Sequence, residues 1–196
     1  MKFTTAALAS SVAVLAAASP FPQAHIAEST SFGPSKLIAE APGTDFDGLP
    51  LQAAQGGIII GAEKQNASCG PEPQEYAVFQ LNSASELSLY TANPIQVFYA
   101  DVSGMGQGII RYTTGAQQPS RYGERKGFTL TEEDNLIWTF PGSNYTNGFQ
   151  ACGPALGAKY SVWLDGVTNP AGYTNCKKFT VRAEPVENPV KCMYTE

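Results

Sequence analysis

Apolar residues recur at alternate positions along most of this chain. They fall in runs of five to eight β-branched, aromatic and leucine residues, closed off by Gly, Pro, Asn, Asp and Ser. Beyond Ser35 no window of helical length keeps an i, i+3, i+4, i+7 apolar stripe free of Gly and Pro. The alternation predicts twelve short strands: Lys36–Ala41, Leu49–Ala54, Gly57–Ala62, Glu75–Leu81, Glu86–Thr91, Ile95–Ala100, Gly108–Thr113, Gly127–Leu130, Asn135–Phe140, Gly148–Cys152, Lys159–Asp165 and Lys177–Ala183. A further run, Val190–Tyr194, closes the chain. Asn93-Pro94, Asn169-Pro170 and Asn188-Pro189 read as turn starts, because the residue before a proline is pushed out of the right-handed helical region.

One pattern repeats. Phe79-x-Leu81-x5-Leu87-x-Leu89 recurs 49 residues later, in identical register, as Phe128-x-Leu130-x5-Leu136-x-Trp138. Alternation, a turn and renewed alternation describe a hairpin with one inward face. A third copy (Leu37, Ala39, then Leu49, Leu51) fits with four extra residues. Twelve strands in three groups of four predict one compact, antiparallel, all-β domain over 36–196, β-trefoil-like, with a β-sandwich as the alternative.

The start of the chain reads differently. Lys2 precedes an apolar run from Ala6 to Ala18 that ends in small residues, as a secretory signal peptide does, and Pro20 and Pro22 cut it short of bilayer-spanning length. Residues 1–18 are therefore expected to be a signal peptide and 19–35 a flexible leader. No later run reaches spanning length and no hydrophobic tail offers a lipid-anchor signal, so the product is expected to be secreted and not held in a membrane.

Composition narrows the partners. Of the 196 residues only 15% are charged, against about 25% in a typical domain. The formal net charge of −5 argues against a phosphate-backbone ligand, hence no nucleic acid. Cys69, Cys152, Cys176 and Cys192 are an even set without the close pairs a metal site wants, so two disulfides and no metal are expected. Three pairings exist; proximity along the chain favours Cys69–Cys152 with Cys176–Cys192. Asn66-Ala67-Ser68 and Asn144-Tyr145-Thr146 match the N-glycosylation acceptor pattern in turn-rich sequence, making Asn66 and Asn144 candidate glycan sites.

Catalytic material is thin. Gly104-Met105-Gly106-Gln107-Gly108 leads into a strand and not a helix, so it reads as a hairpin connection and not a phosphate cradle. Asp45-Phe46-Asp47-Gly48 lacks the downstream bidentate acid of a calcium loop. Glu132-Glu133-Asp134 is a charged hairpin tip, because a glycosidase needs carboxylates facing each other across a cleft. His25 lies in the leader, which leaves no base for a nucleophilic dyad. No enzymatic activity and no cofactor are expected. Arg121, Arg125 and Lys126 form a basic cluster read as a solvated loop. Trp138 and Trp163, with the tyrosines, are candidate carbohydrate contacts, set against the commoner role of strand aromatics as core.

From Gln65 onward the chain resembles the fungal cell-wall protein PhiA family, associated in filamentous fungi with phialide and spore development. The likeness rests on Gln65-Asn66-Ala67-Ser68-Cys69, Ser103-Gly104-Met105-Gly106-Gln107-Gly108 and Tyr112-Thr113-Thr114-Gly115-Ala116-Gln117. It continues through Asn169-Pro170-Ala171-Gly172 and the ending Asn188-Pro189 with Cys192-x-Tyr194-Thr195. Gly127-Phe128-Thr129 departs from the family's Gly-Trp-Ser, and the first 64 residues share signal character only. The last three cysteines are more loosely similar to the C-terminal module of yeast PIR wall proteins, whose glutamine-rich repeats for ester linkage to glucan are absent here. The resemblance implies a secreted, wall-associated, non-catalytic protein serving phialide and conidium formation, with no catalytic residues carried over. With a weakly charged, amide- and hydroxyl-rich surface, the expected partner is a neutral cell-wall polysaccharide held noncovalently. The alternatives are a secreted protein-binding module (an inhibitor or host-directed effector) and a carboxylate glycosidase.

Overall fold

The computed structural model describes residues 31–70 and 73–196; the expected signal peptide, His25 and residues 19–30 of the leader lie outside them. Fourteen strands follow in chain order: β1 (Phe32–Glu40), β2 (Gln52–Ala54), β3 (Gly57–Ile60), β4 (Phe79–Leu81), β5 (Leu87–Leu89), β6 (Gln96–Asp101), β7 (Ile109–Thr114), β8 (Gly123–Glu124), β9 (Phe128–Leu130), β10 (Asn135–Thr139), β11 (Thr146–Asn147), β12 (Phe149–Cys152), β13 (Tyr160–Leu164) and β14 (Lys177–Pro185). Each of the twelve expected strands has its counterpart; the two-residue β8 and β11 were too short to leave a pattern. Among the described residues the one helical element is a 3-10 turn at Pro170–Gly172, and no helix is long and apolar enough to cross a membrane.

All pairings are antiparallel. The order β1-β4-β5-β6-β7-β3-β13-β12-β14 returns to β1 through six residue pairs from Ser35–Pro185 to Glu40–Thr180, closing a nine-strand barrel. The remaining strands attach outside this circuit, with β10 joining β14 and carrying β9 and β11. Closure removes free sheet edges from the ring.

The repeated hairpins are built alike down to single atoms. Phe79 faces Leu89 and Leu81 faces Leu87, as Phe128 faces Trp138 and Leu130 faces Leu136. In the first turn Asn82 Oδ1 accepts from the amides of Ala84 and Glu86; in the second Thr131 Oγ1 accepts from those of Glu133 and Asn135. Ser85 and Asp134 take the same left-handed backbone, φ 62° and 60°. The upstream copy is also a hairpin: the Leu51 amide donates to Leu37 and that of Ala39 to Leu49. Inward residues of all three meet in one core, which Phe46, Phe98, Ile110 and Phe149 complete. Phe128, at the departure from the family's tryptophan, is fully buried there.

Two expectations need correction. β1 opens at Phe32, so the last residues of the 19–35 segment are strand and not leader; a bulge between Phe32 and Ser35 hides the alternation around Gly33-Pro34. The disulfides are Cys69–Cys192 and Cys152–Cys176, not the pairing that proximity suggests. Sheet register decides both. Ser68 bridges Met193, which sets residues 69 and 192 together, and Ala151 faces Lys177, which sets 152 beside 176.

Joints between strands are filled by buried glutamines. Gln52 Nε2 donates to the carbonyls of Ala62 and Glu75, and Gln65 Nε2 to those of Gln74 and Tyr76. Gln150 Nε2 donates to Leu164 and Val167. Gln96 grips the C-terminal segment, donating to the Tyr194 carbonyl at 2.8 Å and accepting from its amide at 3.0 Å. The Tyr194 ring is buried with its hydroxyl accepting from the Val78 amide, and Tyr112 donates its hydroxyl to the Thr195 carbonyl.

Burial pushes the Tyr194 hydroxyl up to about 12 and raises that of Tyr112 as well. In the unfolded chain both titrate near about 10, so above that pH the folded state holds more protons and stability falls as pH rises. The slope is about 1.4 kcal/mol per pH unit for each tyrosine, and the Tyr194 share ends near its folded value. Urea midpoints should therefore be level up to about pH 9 and drop by about pH 11, with a shallower drop in Tyr194→Phe. A midpoint unchanged across that range would contradict the account.

Candidate functional site

Neither tryptophan offers a ring face to solvent: Trp138 is 1% and Trp163 5% exposed. Trp138 points into the core, and its Nε1 donates to the Lys126 carbonyl at 3.0 Å. Trp163 faces outward but is covered; its Nε1 donates to Ser161 Oγ and Tyr173 packs against it edge-on at 6.1 Å. As direct stacking platforms both residues are corrected. The reason is their strand position, where a large ring completes packing.

Trp138 instead forms part of the floor of a cleft of about 610 Å³. Three connections surround it. The glycine-rich β6–β7 link brings Val102, Ser103 and Gln107; the β10–β11 hairpin brings Phe140, Ser143, Tyr145 and Asn147; the chain leaving β13 brings Leu164, Gly166 and Val167. Phe140 stands edge-on to Trp138, centroids 5.9 Å apart, so the buried indole sets the pose of the exposed ring. Tyr145, 60% exposed, lies across the turn, where the Phe140 amide donates to its carbonyl.

The walls are tied down. The Leu164 amide donates to Gly108, the Ala171 amide to Gln107 Oε1 at 2.6 Å, and Gln150 holds the carbonyls of Leu164 and Val167. In the β6–β7 link Asp101 accepts from the Ser103 amide and Ser120 hydroxyl, and a side chain on Gly106 would collide with its carboxylate at about 2.1 Å. Burial alone would raise the Asp101 carboxyl, but the bonds from Ser103 and Ser120 outweigh it and leave it below the usual range. The glycines thus shape a hairpin connection, as their lead into β7 predicted.

Within the cleft the donors and acceptors are amides and hydroxyls, and Tyr145 is the sole titratable lining residue. Such a surface can bind a neutral, hydroxylated ligand by stacking and hydrogen bonds. The other sequence candidates lie elsewhere. Asp45 takes a hydrogen bond from Tyr160 at 2.8 Å and pairs with Lys159, the Tyr160 bond holding its carboxyl low, while Asp47 caps the Ala41 amide. Glu132-Glu133-Asp134 forms the β9–β10 tip. Arg125 is a structural tie, donating to Thr113 and to the Gln117 carbonyl, and Arg121 lies over the Tyr122 ring. Among the described residues no three His, Cys, Asp or Glu side chains gather as metal ligands. Asn66 and Asn144 are both exposed, and Asn144 sits on the cleft rim between Ser143 and Tyr145.

Phe140, Asn147 and Gly166 carry no mark in the sequence reading, whereas Gln107 enters it in the glycine-rich loop and Tyr145 in a glycosylation acceptor and among the tyrosines. The available signal was Phe140-Pro141-Gly142-Ser143-Asn144-Tyr145, two aromatics flanking a turn, where no core position awaits them.

Comparison with known proteins bears on the whole chain. Relatives named cell wall protein phiA are 37% identical in Emericella nidulans, over all of both chains, and 38% identical in Aspergillus fumigatus, over 82% of this chain and 84% of that one. A third, from Aspergillus niger, is 37% identical over 92% of this chain and 94% of its own. No solved structure matches. The family model described as PhiA-like secreted protein matches residues 36–195, the barrel from β1 to the penultimate residue, and this chain belongs to that family.

Proposed function

We propose that this chain is a non-catalytic protein of the fungal cell wall, held there noncovalently by a neutral polysaccharide in the cleft between Phe140 and Tyr145. One observation carries the reading: an uncharged cleft with two exposed aromatic rings on a rim fixed by hydrogen bonds. Membership of a secreted family, and relatives named as cell wall proteins, support the location. The contact moves from Trp138 and Trp163 to Phe140, which Trp138 positions, and to Tyr145 across the turn. A role in phialide and conidium formation follows from the family likeness; conidium counts after deletion of the gene test it, and normal counts would remove that part. Glycans on Asn66 and Asn144 belong to the same reading, and a mass unchanged by N-glycosidase would remove them. The three hairpins in matching register favour a trefoil-like over a sandwich arrangement of the barrel.

Retention on washed glucan, chitin and mannan is the direct test. The protein should be retained by at least one, and Tyr145→Ala should weaken binding about fivefold, since a stacked ring contributes on the order of 1 kcal/mol. Retention by none, or an unaffected Tyr145→Ala variant, would defeat the proposal. A protein partner is the second reading, favoured by Met105 and Leu156, which stand fully out in solvent on two loops.

A further inference from the structure

Asn147 is 4% exposed, lines the cleft, and its side-chain amide has no hydrogen-bond partner among the described residues. Its amide atoms are not among the buried unpaired groups (Thr44 Oγ1, Arg125 Nε and Asn135 Oδ1), so they open onto the cleft, free to pair with whatever enters it. Beside it is a notch. A Cβ on Gly166 would lie 2.7 Å from Asn147 Oδ1 and 3.2 Å from Tyr145 Oη, so both groups converge on the space where a side chain is missing. Gly166 is not among the residues with left-handed φ. Alanine would suit its backbone, but its methyl group would fill the room onto which both side chains converge.

From this we propose that the cleft takes the acetamido group of a neutral N-acetylhexosamine unit, a specificity that rests on the polysaccharide reading above. An acetamido group offers one N–H donor and one carbonyl acceptor, which complement the side-chain amide of Asn147 in either of its orientations. It also carries a methyl group, which the apolar Val102, Leu164 and Val167 of the lining can receive. A plain hexose would set hydroxyls against those side chains and leave them unpaired there. A deacetylated sugar would bring a cation into a cleft whose lining has no carboxylate to receive it.

The test is titration of the full secreted chain with N-acetylglucosamine trimer, glucose trimer and the deacetylated trimer, read by saturation transfer and by tryptophan fluorescence. Any N-glycans are removed first, because their core sugars carry the same group and Asn144 is on the rim. The acetylated trimer should bind at least about tenfold tighter than either analogue, with transfer strongest at its acetamido methyl. Gly166→Ala should abolish that binding while the thermal midpoint stays in place. Should Gly166→Ala unfold the chain, Asn147→Asp, which keeps the shape and loses the donor, must remove the preference instead. Equal binding of glucose trimer, or wild-type binding by a folded Gly166→Ala, overturns the acetamido assignment and leaves the polysaccharide reading standing. Binding of no neutral trimer, together with no retention on any wall polymer, overturns both.

Discussion

Removing the Cys69–Cys192 bridge, as Cys69→Ser with Cys192→Ser, should lower stability by about 5 kcal/mol, and removing Cys152–Cys176 by about 3.5 kcal/mol. The difference comes from loop length. The first bridge spans a separation of 123 residues and the second 24, and the entropy an unfolded chain regains grows with the logarithm of the loop. Against a total of about 5–15 kcal/mol, the larger loss leaves a marginal fold. The first bridge also has more to hold. Behind Cys192 come the Ser68–Met193 pairing, the Gln96 grip on Tyr194, and Thr195, whose carbonyl accepts from the Gly56 amide and the Tyr112 hydroxyl. Urea unfolding of the two double-serine variants measures this. Equal losses, or a larger loss at Cys152–Cys176, would mean that loop entropy does not govern these bridges.

How far the chain could be read in advance follows from which interactions are local. The Phe79–Leu89 and Phe128–Trp138 hairpins were legible to the residue, because alternation and turn chemistry act over a dozen positions. The all-β class and the presence of two disulfides were legible for similar reasons. The disulfide partners were not, since they depend on register between segments far apart, Ser68 against Met193 and Ala151 against Lys177. Closure of β1 on β14 was hidden in the same way: nothing near Lys36 announces Glu184. The cleft was legible only in character. Low overall charge anticipates an uncharged cleft, yet the strand tryptophans Trp138 and Trp163 serve packing, and the exposed pair, Phe140 and Tyr145, lies in a turn. Glutamine has no periodicity to read, so Gln65 entered as part of a family signature while its work, bridging Gln74 and Tyr76, is that of a missing strand partner.

Gln96→Leu puts that role to the test and should cost about 2–5 kcal/mol. The side chain is 0% exposed and of similar size to leucine, so the change adds little strain and if anything favours burial. What it removes is the amide that satisfies both backbone groups of Tyr194, and the bond to Thr114 Oγ1. An interior N–H and C=O left without partners cost about 1–3 kcal/mol each, more than the leucine recovers. Gln117, whose amide reaches Glu196 on the exposed side of the same segment, is the control: Gln117→Ala should stay within about 0.5 kcal/mol. Hydrogen exchange separates the loss from general loosening. In Gln96→Leu the Tyr194 amide should exchange much faster while the amides of β12 and β14 keep their relative protection. If Gln96→Leu proves as stable as the parent, the C-terminal segment is held by Cys192 and Tyr194 packing alone, and the buried glutamines are fillers and not joints.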